Sequence, residues 1–326
     1  MTEYKQIYMT KNIHLILNSS ELGAGTRGAS LGPAAIQVAA REVGSDFFGG
    51  KTTTHILNRN PLLDIPTSYP FAKRIDGVSE VANDIVQQVS QVLESNEFPL
   101  VLAADHSSAA FTIGGIRRAF PDKKLGVIWI DAHGDLHSPY TTPSGNIHGM
   151  PLAIALGLDN LEMKRNELDE KSYSYWENLK QLAGASPLFQ PESLVFIGVR
   201  DTEKEEEYLM DKHGIRNVKV EEVRQKGVDQ IVNETAAYLS ACDIIYVSFD
   251  VDSMDPDLTS YGTGTPVKNG LTIEEARSLL VQFTQDTKTV CLEVVEVNPC
   301  LDNKKNKMAE IAFDLIQSVA DSLSKK

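Results

Sequence analysis

Short apolar segments recur along the chain, and the stretches between them are long enough to hold a helix. Eight of these segments are rich in branched side chains, and most are too apolar to have a wet face, which is typical of strands in a parallel sheet. The predicted strands are residues 13–18, 54–57, 99–104, 125–130, 194–199, 217–220, 244–249 and 290–295. Eight strands alternating with helices fit either an open doubly wound sheet or a closed barrel, and their spacing does not choose between them.

Helical periodicity connects several of the predicted strands. The predicted helices with the clearest apolar stripes are residues 78–94, 272–286 and 308–323. Thr272 and Glu275 have the spacing of a capping box, and Pro33 fits the first turn of an earlier helix. Two segments lack a regular pattern: residues 58–76 are predicted to be irregular, and residues 158–192 to form a polar surface insertion.

Composition and charge narrow the class of protein. A length of 326 residues is ordinary for one large α/β domain, so we expect a single domain over residues 1–326. The net charge of −14 disfavours binding to nucleic acid or to anionic membranes. Three cysteines without metal-pair spacing indicate reduced thiols. The N-terminal segment lacks the order of a signal peptide and no apolar run could span a membrane, so a soluble, cytoplasmic protein is expected.

Ionisable side chains directly follow four of the predicted strands. They are His106 after the third strand; Asp131, His133 and Asp135 after the fourth; Asp201 and Glu203 after the fifth; and Asp250 and Asp252 after the seventh. Because ligands bind at the carboxyl ends of parallel strands, these groups are expected to converge at one edge of the sheet. Where they alternate on an extended backbone, they should also point to the same side.

Four of these carboxylates and two imidazoles, from the third, fourth and seventh strand ends, form a donor set suited to Mn²⁺ or a related ion. Six ligands are too many for one ion with an open position, but they suit a pair of ions that share carboxylates. A single DxD pair at a strand end is more often a turn or a cap, and a single DxHxD segment is only suggestive. Their occurrence together favours a metal centre. By themselves, His148 could cap a helix near Gly149 and His137 could be an exposed loop residue.

Five segments then identify a family. DAHGD, SGNIHG, SFDVDSMDP, GTGTP and EVNP, in this order, resemble the motifs of the ureohydrolase superfamily, which includes arginase, agmatinase and formimidoylglutamase. The likeness runs from RGASLGP to EVNPCLD and thus covers nearly the whole chain. It implies a three-layer α/β/α fold around an eight-stranded parallel sheet, two Mn²⁺ per subunit, and a homo-oligomer, either a trimer or a hexamer.

The resemblance also implies roles for individual residues. One Mn²⁺ would be ligated by His106, Asp131, Asp135 and Asp250, and the other by His133, Asp131, Asp250 and Asp252. A bridging hydroxide would attack the guanidinium carbon, and the tetrahedral intermediate would collapse to urea and an amine. Asp135 would also take up the nucleophile's proton, His148 would shuttle protons, and Glu296 would pair with the guanidinium. Thr265 would line the same region.

The segment TTPSGNIHG resembles the loop with which arginases bind the amino-acid end of the substrate. Ser144 and Asn146 would bind the α-carboxylate, and Thr142 would assist through water. Glu203 falls where arginases hold the α-ammonium with an acid, and Asp201 fits a supporting acid. The predicted substrate is therefore L-arginine, which would give L-ornithine and urea.

Some positions depart from the arginase pattern. His137 stands where arginases typically carry an asparagine for the α-carboxylate, and Glu203 is one methylene longer than the usual aspartate. Formimidoylglutamase, a guanidino-acid hydrolase and agmatinase remain alternative activities, although the SGN loop weighs against agmatinase. A non-catalytic, metal-dependent amino-acid sensor is a further alternative, and the presence of every expected ligand together with His148 and Glu296 disfavours it.

Overall fold

A computed structural model describes residues 12–324 and contains one sheet of eight parallel strands. The strands are β1 (Ile13–Asn18), β2 (Thr53–His55), β3 (Phe98–Ala103), β4 (Leu125–Ile130), β5 (Leu194–Ile197), β6 (Arg216–Val218), β7 (Ile244–Asp250) and β8 (Thr289–Val295). Their order is β2-β1-β3-β8-β7-β4-β5-β6, with β2 and β6 at the edges, so the sheet is open. All eight predicted strands are confirmed. The structure does not describe residues 1–11 and 325–326. The N-terminal segment in which no signal peptide is expected therefore lies mostly outside the described residues.

Helices cover both faces of this sheet, which confirms the predicted three layers. The α-helices of the described residues are α1 (Gly32–Glu42), α2 (Ile75–Glu94), α3 (Ser108–Ala119), α4 (Pro151–Leu156), α5 (Glu170–Gln181), α6 (Lys204–His213), α7 (Val220–Lys226), α8 (Val228–Tyr238), α9 (Ile273–Gln285) and α10 (Lys307–Ser324). One apolar core joins the sheet to α2–α6, and a second core joins its other face to α1 and α7–α10.

Two helix starts that the sequence predicts, the capping box of Thr272 and Glu275 and the proline at position 33, are confirmed. The backbone N–H of Glu275 donates to Thr272 Oγ1 at 3.1 Å, and Glu275 Oε2 accepts from the N–H of Thr272 at 2.8 Å, so the capping box starts α9. Pro33 lies in the first turn of α1. These contacts satisfy N–H groups that the first turn of a helix leaves without an intrahelical acceptor.

The prediction of a surface insertion at residues 158–192 is wrong in one respect. This segment contains α5, and Trp176 of α5 is fully buried in the core that also holds α2. Its indole N–H donates to Asp159 Oδ1 at 2.7 Å, which satisfies the polar end of the ring. Trp176 and Leu179 therefore belong to the buried face of an amphipathic helix, whereas Tyr173 of the same helix is exposed.

The carboxyl ends of β3, β4, β5 and β7 meet at one edge, where the loops that follow them enclose a cavity. All three cysteines are free thiols, as expected. Of the helices formed by residues 12–324, none is both long enough and apolar enough to cross a membrane.

Candidate active site

Short turns, rather than extended backbone, gather the side chains that follow β4 and β7. β4 ends at Ile130, and Asp135 has a left-handed φ of 50°. Asp250 is the last residue of β7, and Asp252 lies in a 3-10 turn, Val251–Ser253. The condition of an extended backbone is therefore not met here, although the expected side chains do converge. Left-handed φ in a residue other than glycine costs about 1–3 kcal/mol and is concentrated at functional sites.

His106 is the centre of a first cluster. Its Nδ1 lies 3.0 Å from Asp131 Oδ2, 3.2 Å from Asp135 Oδ2 and 3.2 Å from Asp250 Oδ2. None of these contacts has hydrogen-bond geometry, and Nδ1 is a buried atom without a hydrogen-bond partner among the described residues. The other ring nitrogen, Nε2, lies 2.7 Å from Ser248 Oγ. A buried ring nitrogen that has no hydrogen-bond partner and faces three carboxylates suits a shared cation.

His133 is the centre of a second cluster that shares Asp131 with the first. Its Nδ1 lies 3.1 Å from Asp252 Oδ2 and 3.5 Å from Asp131 Oδ1. The hydroxyl of Thr265 donates to Asp252 Oδ2 at 3.1 Å, and Asp201 Oδ2 lies 3.8 Å from His133 Nε2. Because Asp131 contributes one oxygen to each cluster, the two clusters could hold a pair of ions.

The protein alone does not balance the charge of these clusters. Burial, with the neighbouring Asp252 and Asp131, raises the pKa of Asp250 well above its usual range. Burial opposes ionisation of Asp131 as well, but contacts with His106 and His133 hold the pKa of Asp131 below its usual range. Buried carboxylates that repel each other are relieved by cations. The donor chemistry, four carboxylates and two imidazoles, therefore fits two hard or borderline divalent ions.

Glu296 and His148 lie beside the first cluster. Glu296 is buried, has a φ of 67°, and accepts a hydrogen bond from the backbone N–H of His106 at Oε1, 2.9 Å away. The same oxygen lies 3.2 Å from His148 Nδ1. Burial works to lower the pKa of His148, but the Glu296 carboxylate and other nearby acids raise it to about 9. His148 is thus a proton donor at neutral pH. It does not cap a helix, because α4 begins at Pro151.

The loop after β4 forms the outer part of the cavity. Thr142 Oγ1 accepts from the backbone N–H of Gly145 at 3.0 Å, and Ser144 Oγ accepts from that of Asn146 at 3.2 Å. Gly145 has a φ of 76°, and a Cβ there would lie 2.0 Å from the carbonyl oxygen of Pro70. Only glycine permits this close approach. Residues 58–76, which contain Pro70, thus support the loop.

Lys73, from the same supporting segment, was not singled out by sequence analysis. Its backbone N–H donates to Gly145 O at 2.8 Å, and its Nζ donates to Asn146 Oδ1 at 3.2 Å. The second bond leaves the Asn146 amide N–H groups free to donate elsewhere. No motif connects Lys73 with Asn146, since 73 positions separate them in the chain.

His137 closes the same end of the cavity against two acids. The ring is buried, so the reading of His137 as an exposed loop residue is wrong. Its Nδ1 lies 3.1 Å from Thr141 Oγ1, and its Nε2 contacts the carboxylate of the half-exposed Glu203. A second carboxylate, Glu206 Oε2, lies 3.8 Å from Nε2. Because a carboxylate only accepts, His137 Nε2 donates in its contact with Glu203, and this contact holds the two side chains together at this end of the cavity.

Glu206 was also missed by sequence analysis. It is buried, and it accepts hydrogen bonds from the backbone N–H groups of Leu136 and Glu203, each at 3.1 Å. Glu203 and Glu206 form a capping box at the start of α6. That spacing is the sequence signal for Glu206, because the second acid of a capping box reaches back to the backbone N–H at the start of its helix.

Burial raises the pKa of Glu206 to about 6, which predicts a pH-dependent effect on stability. The folded protein binds this proton more tightly than the unfolded chain does, so Glu206 lowers stability as pH rises through the range between 4.5 and about 6. In metal-free protein, Glu206→Gln should therefore gain up to about 2 kcal/mol in free energy of unfolding relative to wild type between about pH 4 and pH 7. Denaturant titrations at several pH values measure this difference. Glu207→Gln, at the exposed neighbouring position, is the control. A difference in free energy of unfolding between wild type and Glu206→Gln that does not change with pH would contradict the prediction.

Comparisons with known proteins identify the family and the fold. The model of the arginase family matches residues 12–321. The chain is 35% identical to arginase from Bacillus subtilis (strain 168) over 325 residues, which cover 95% of this chain and 98% of the relative. The structure of arginase from Bacillus caldovelox superposes with a TM-score of 0.79 at 33% identity, covering 95% of this chain and 98% of that one. A formimidoylglutamase from Bacillus subtilis has a TM-score of 0.70 at 19% identity, covers 96% and 87% of the two chains, and shares the fold.

Proposed function

The chain belongs to the arginase family, and on that basis we propose that it hydrolyses the guanidinium group of L-arginine to give L-ornithine and urea. The observation that carries the proposal is the pair of imidazole–carboxylate clusters that share Asp131 beside a cavity of about 320 Å³. The far end of this cavity carries the groups that an α-amino acid requires, namely acids for the ammonium and hydroxyl and amide donors for the carboxylate.

Two Mn²⁺ are the proposed cofactors. His106, Asp131, Asp135 and Asp250 would hold one ion, and His133, Asp131, Asp250 and Asp252 would hold the other. When bound, the ions would supply a water molecule acidic enough to act as a nucleophile near neutral pH. Metal analysis of the purified protein tests the stoichiometry and the identity of the metal.

The remaining groups bind the guanidinium and move protons. Glu296 pairs with the planar cation, for which a carboxylate is a suitable acceptor. Asp135 borders the cavity, where it accepts a proton from the attacking water and passes it to the leaving amine. His148, which carries a proton at neutral pH, exchanges protons between this centre and the solvent.

The amino-acid end of the substrate lies against the outer loop. Ser144 and Asn146 donate to the α-carboxylate, with Thr142 assisting through water. Glu203 accepts from the α-ammonium, and Asp201 is the supporting acid; Asp201 Oδ2 also lies 3.8 Å from His133 Nε2. His137 takes the place of an amide donor at this end, and its contact with Glu203 links the groups that bind the two charges.

A panel of amidines tests the proposal. After treatment with Mn²⁺, the protein is assayed with L-arginine, agmatine, 4-guanidinobutanoate and N-formimidoyl-L-glutamate, and urea, ammonia and formamide are measured. L-Arginine should give the highest kcat/KM, and agmatine, which lacks the carboxylate, should react on the order of 100-fold more slowly or worse. Preferential turnover of another amidine would contradict the proposed substrate. Tight ligand binding with two Mn²⁺ and no turnover would identify a sensor.

The assembly of the chain is a further part of the proposal. Light scattering at several protein concentrations distinguishes the proposed trimer or hexamer from a monomer.

A further inference from the structure

Lys73 contacts the outer loop of the cavity without lining the cavity itself. Asn146 is among the residues that form the cavity wall, whereas Lys73 is half-buried outside it. The ammonium Nζ of Lys73 donates to Asn146 Oδ1 at 3.2 Å, and the backbone N–H of Lys73 donates to Gly145 O at 2.8 Å. One residue just before α2 thus binds both the backbone and a side chain of the loop.

The other end of the Asn146 amide lies at the cavity wall. A Cβ at Gly25, which also lines the cavity, would lie 2.8 Å from Asn146 Nδ2. Within residues 12–324, Nδ2 donates a hydrogen bond to no protein group. Its N–H groups are therefore available to an acceptor in the cavity, and a carboxylate is such an acceptor.

The charge of Lys73 decides which way this amide points. An ammonium has three N–H donors and no lone pair, so the amide atom beside Nζ must be the oxygen. In the reverse orientation, the amide NH₂ would face Nζ, and two donors would lie side by side without an acceptor. The oxygen of Asn146 would then lie on the side of Gly25, where it would repel a carboxylate instead of binding it.

We propose that Lys73 is a positioning residue for the α-carboxylate of the substrate, because it holds the Asn146 amide with its N–H groups toward the cavity. The proposal rests on the proposed function, which assigns Asn146 to this carboxylate. It predicts that Lys73 matters only for ligands that carry the carboxylate. A hydrogen bond to a charged group changes affinity by a factor of about 10 or more, which sets the size of the effect.

Lys73→Met tests the proposal, because methionine has a similar length but neither charge nor donor. After treatment with Mn²⁺, the variant should bind L-ornithine about 10-fold more weakly than wild type does. Its affinity for 1,4-diaminobutane, the same diamine without the carboxylate, should stay within about twofold of wild type. Titration calorimetry with each ligand measures these constants. Lys73→Arg, which keeps a charged donor, should restore most of the affinity for L-ornithine.

Steady-state kinetics provide a second readout. In Lys73→Met, KM for L-arginine should rise about 10-fold at nearly constant kcat, because the α-carboxylate is remote from the guanidinium carbon and binds equally in ground state and transition state. Lys123→Met is the matched control, since it removes the same charge at an exposed position before the amino end of β4, away from the cavity. It should leave all of these constants at the wild-type level.

A double-mutant cycle shows whether Lys73 acts through the amide. In protein that already carries Asn146→Ala, Lys73→Met should cause no further loss of affinity for L-ornithine. A loss as large as in wild type would overturn the inference, because the charge of Lys73 would then act without Asn146.

Three further results would also overturn it. Unchanged affinity for L-ornithine in Lys73→Met would show that the contact has no such role, and equal losses for L-ornithine and 1,4-diaminobutane would show that the role is structural. Wild-type protein that binds both ligands equally well would have no carboxylate subsite. If wild type prefers L-ornithine and Lys73→Met removes that preference, but L-arginine is not hydrolysed, the inference stands and it is the proposed function that fails.

Discussion

Replacing Asp250 with asparagine is expected to reduce kcat/KM for L-arginine by at least about 1000-fold. Asp250 lies within 3.2 Å of His106 and is one of two carboxylates proposed to bridge both ions. An amide has one neutral oxygen and cannot bridge two cations in the same way, and a loss of about 4 kcal/mol of transition-state stabilisation corresponds to this factor. Steady-state kinetics with saturating Mn²⁺, together with metal analysis of the variant, measure both parts of the effect.

The same substitution should stabilise the metal-free protein. Burial and the neighbouring carboxylates raise the pKa of Asp250, so the charged group is unfavourable in the folded state without cations. Asp250→Asn should therefore melt at a higher temperature than wild type in the presence of a chelator at neutral pH, and at a lower temperature when Mn²⁺ is added. Asp122→Asn, an exposed position just before β4, is the control. Full activity of Asp250→Asn would be incompatible with the proposed centre.

Replacing His148 with asparagine should lower kcat by about 100-fold or more while both Mn²⁺ affinities stay at the wild-type level. The imidazole contacts Glu296, which helps to raise the pKa of His148 to about 9. His148 is therefore protonated at neutral pH and is a suitable acid. Asparagine keeps a polar side chain but cannot gain or lose a proton in this pH range. Kinetics and metal titration of the same preparation separate the loss of proton transfer from a loss of metal.

The pH profile provides a second measurement of the same role. Because His148 must be protonated to act as an acid, wild-type kcat should fall as pH rises through about 9, and the variant should lack this alkaline decline. His55→Asn, at an exposed position in the edge strand β2, should behave as wild type. A variant with unchanged kcat, or one that has lost its metal, would refute the assigned role.

The fold could be predicted from the sequence because strands buried on both faces leave a strong signal. Apolar runs such as residues 125–130 became strands with the predicted bounds. The position of the donor groups also followed, since the carboxyl ends of parallel strands meet at one edge. The local geometry did not follow: Asp135 joins His106 through a left-handed turn, which alternation along a strand does not predict.

Residues whose role depends on a distant partner were missed for a physical reason. Lys73 reaches Asn146 from the segment before α2, and it has no neighbour in the sequence that marks its environment. Glu206 is intermediate, since its capping-box spacing with Glu203 is present in the sequence but its burial beside the site depends on packing. Sequence patterns thus report which groups reach the edge of the sheet, and packing decides which of them touch.

The contact between Gly145 and Pro70 couples two parts of the chain that are far apart in sequence. With a would-be Cβ only 2.0 Å from the Pro70 carbonyl, the two backbones are too close to be displaced independently. A change of length or shape in residues 58–76 would therefore be transmitted to Ser144 and Asn146 although it leaves every binding group intact. Substitutions in residues 58–76, none of which lines the cavity, are therefore expected to change selectivity for the amino-acid end of the substrate. Transferring the loop alone to a relative would omit the segment that supports it.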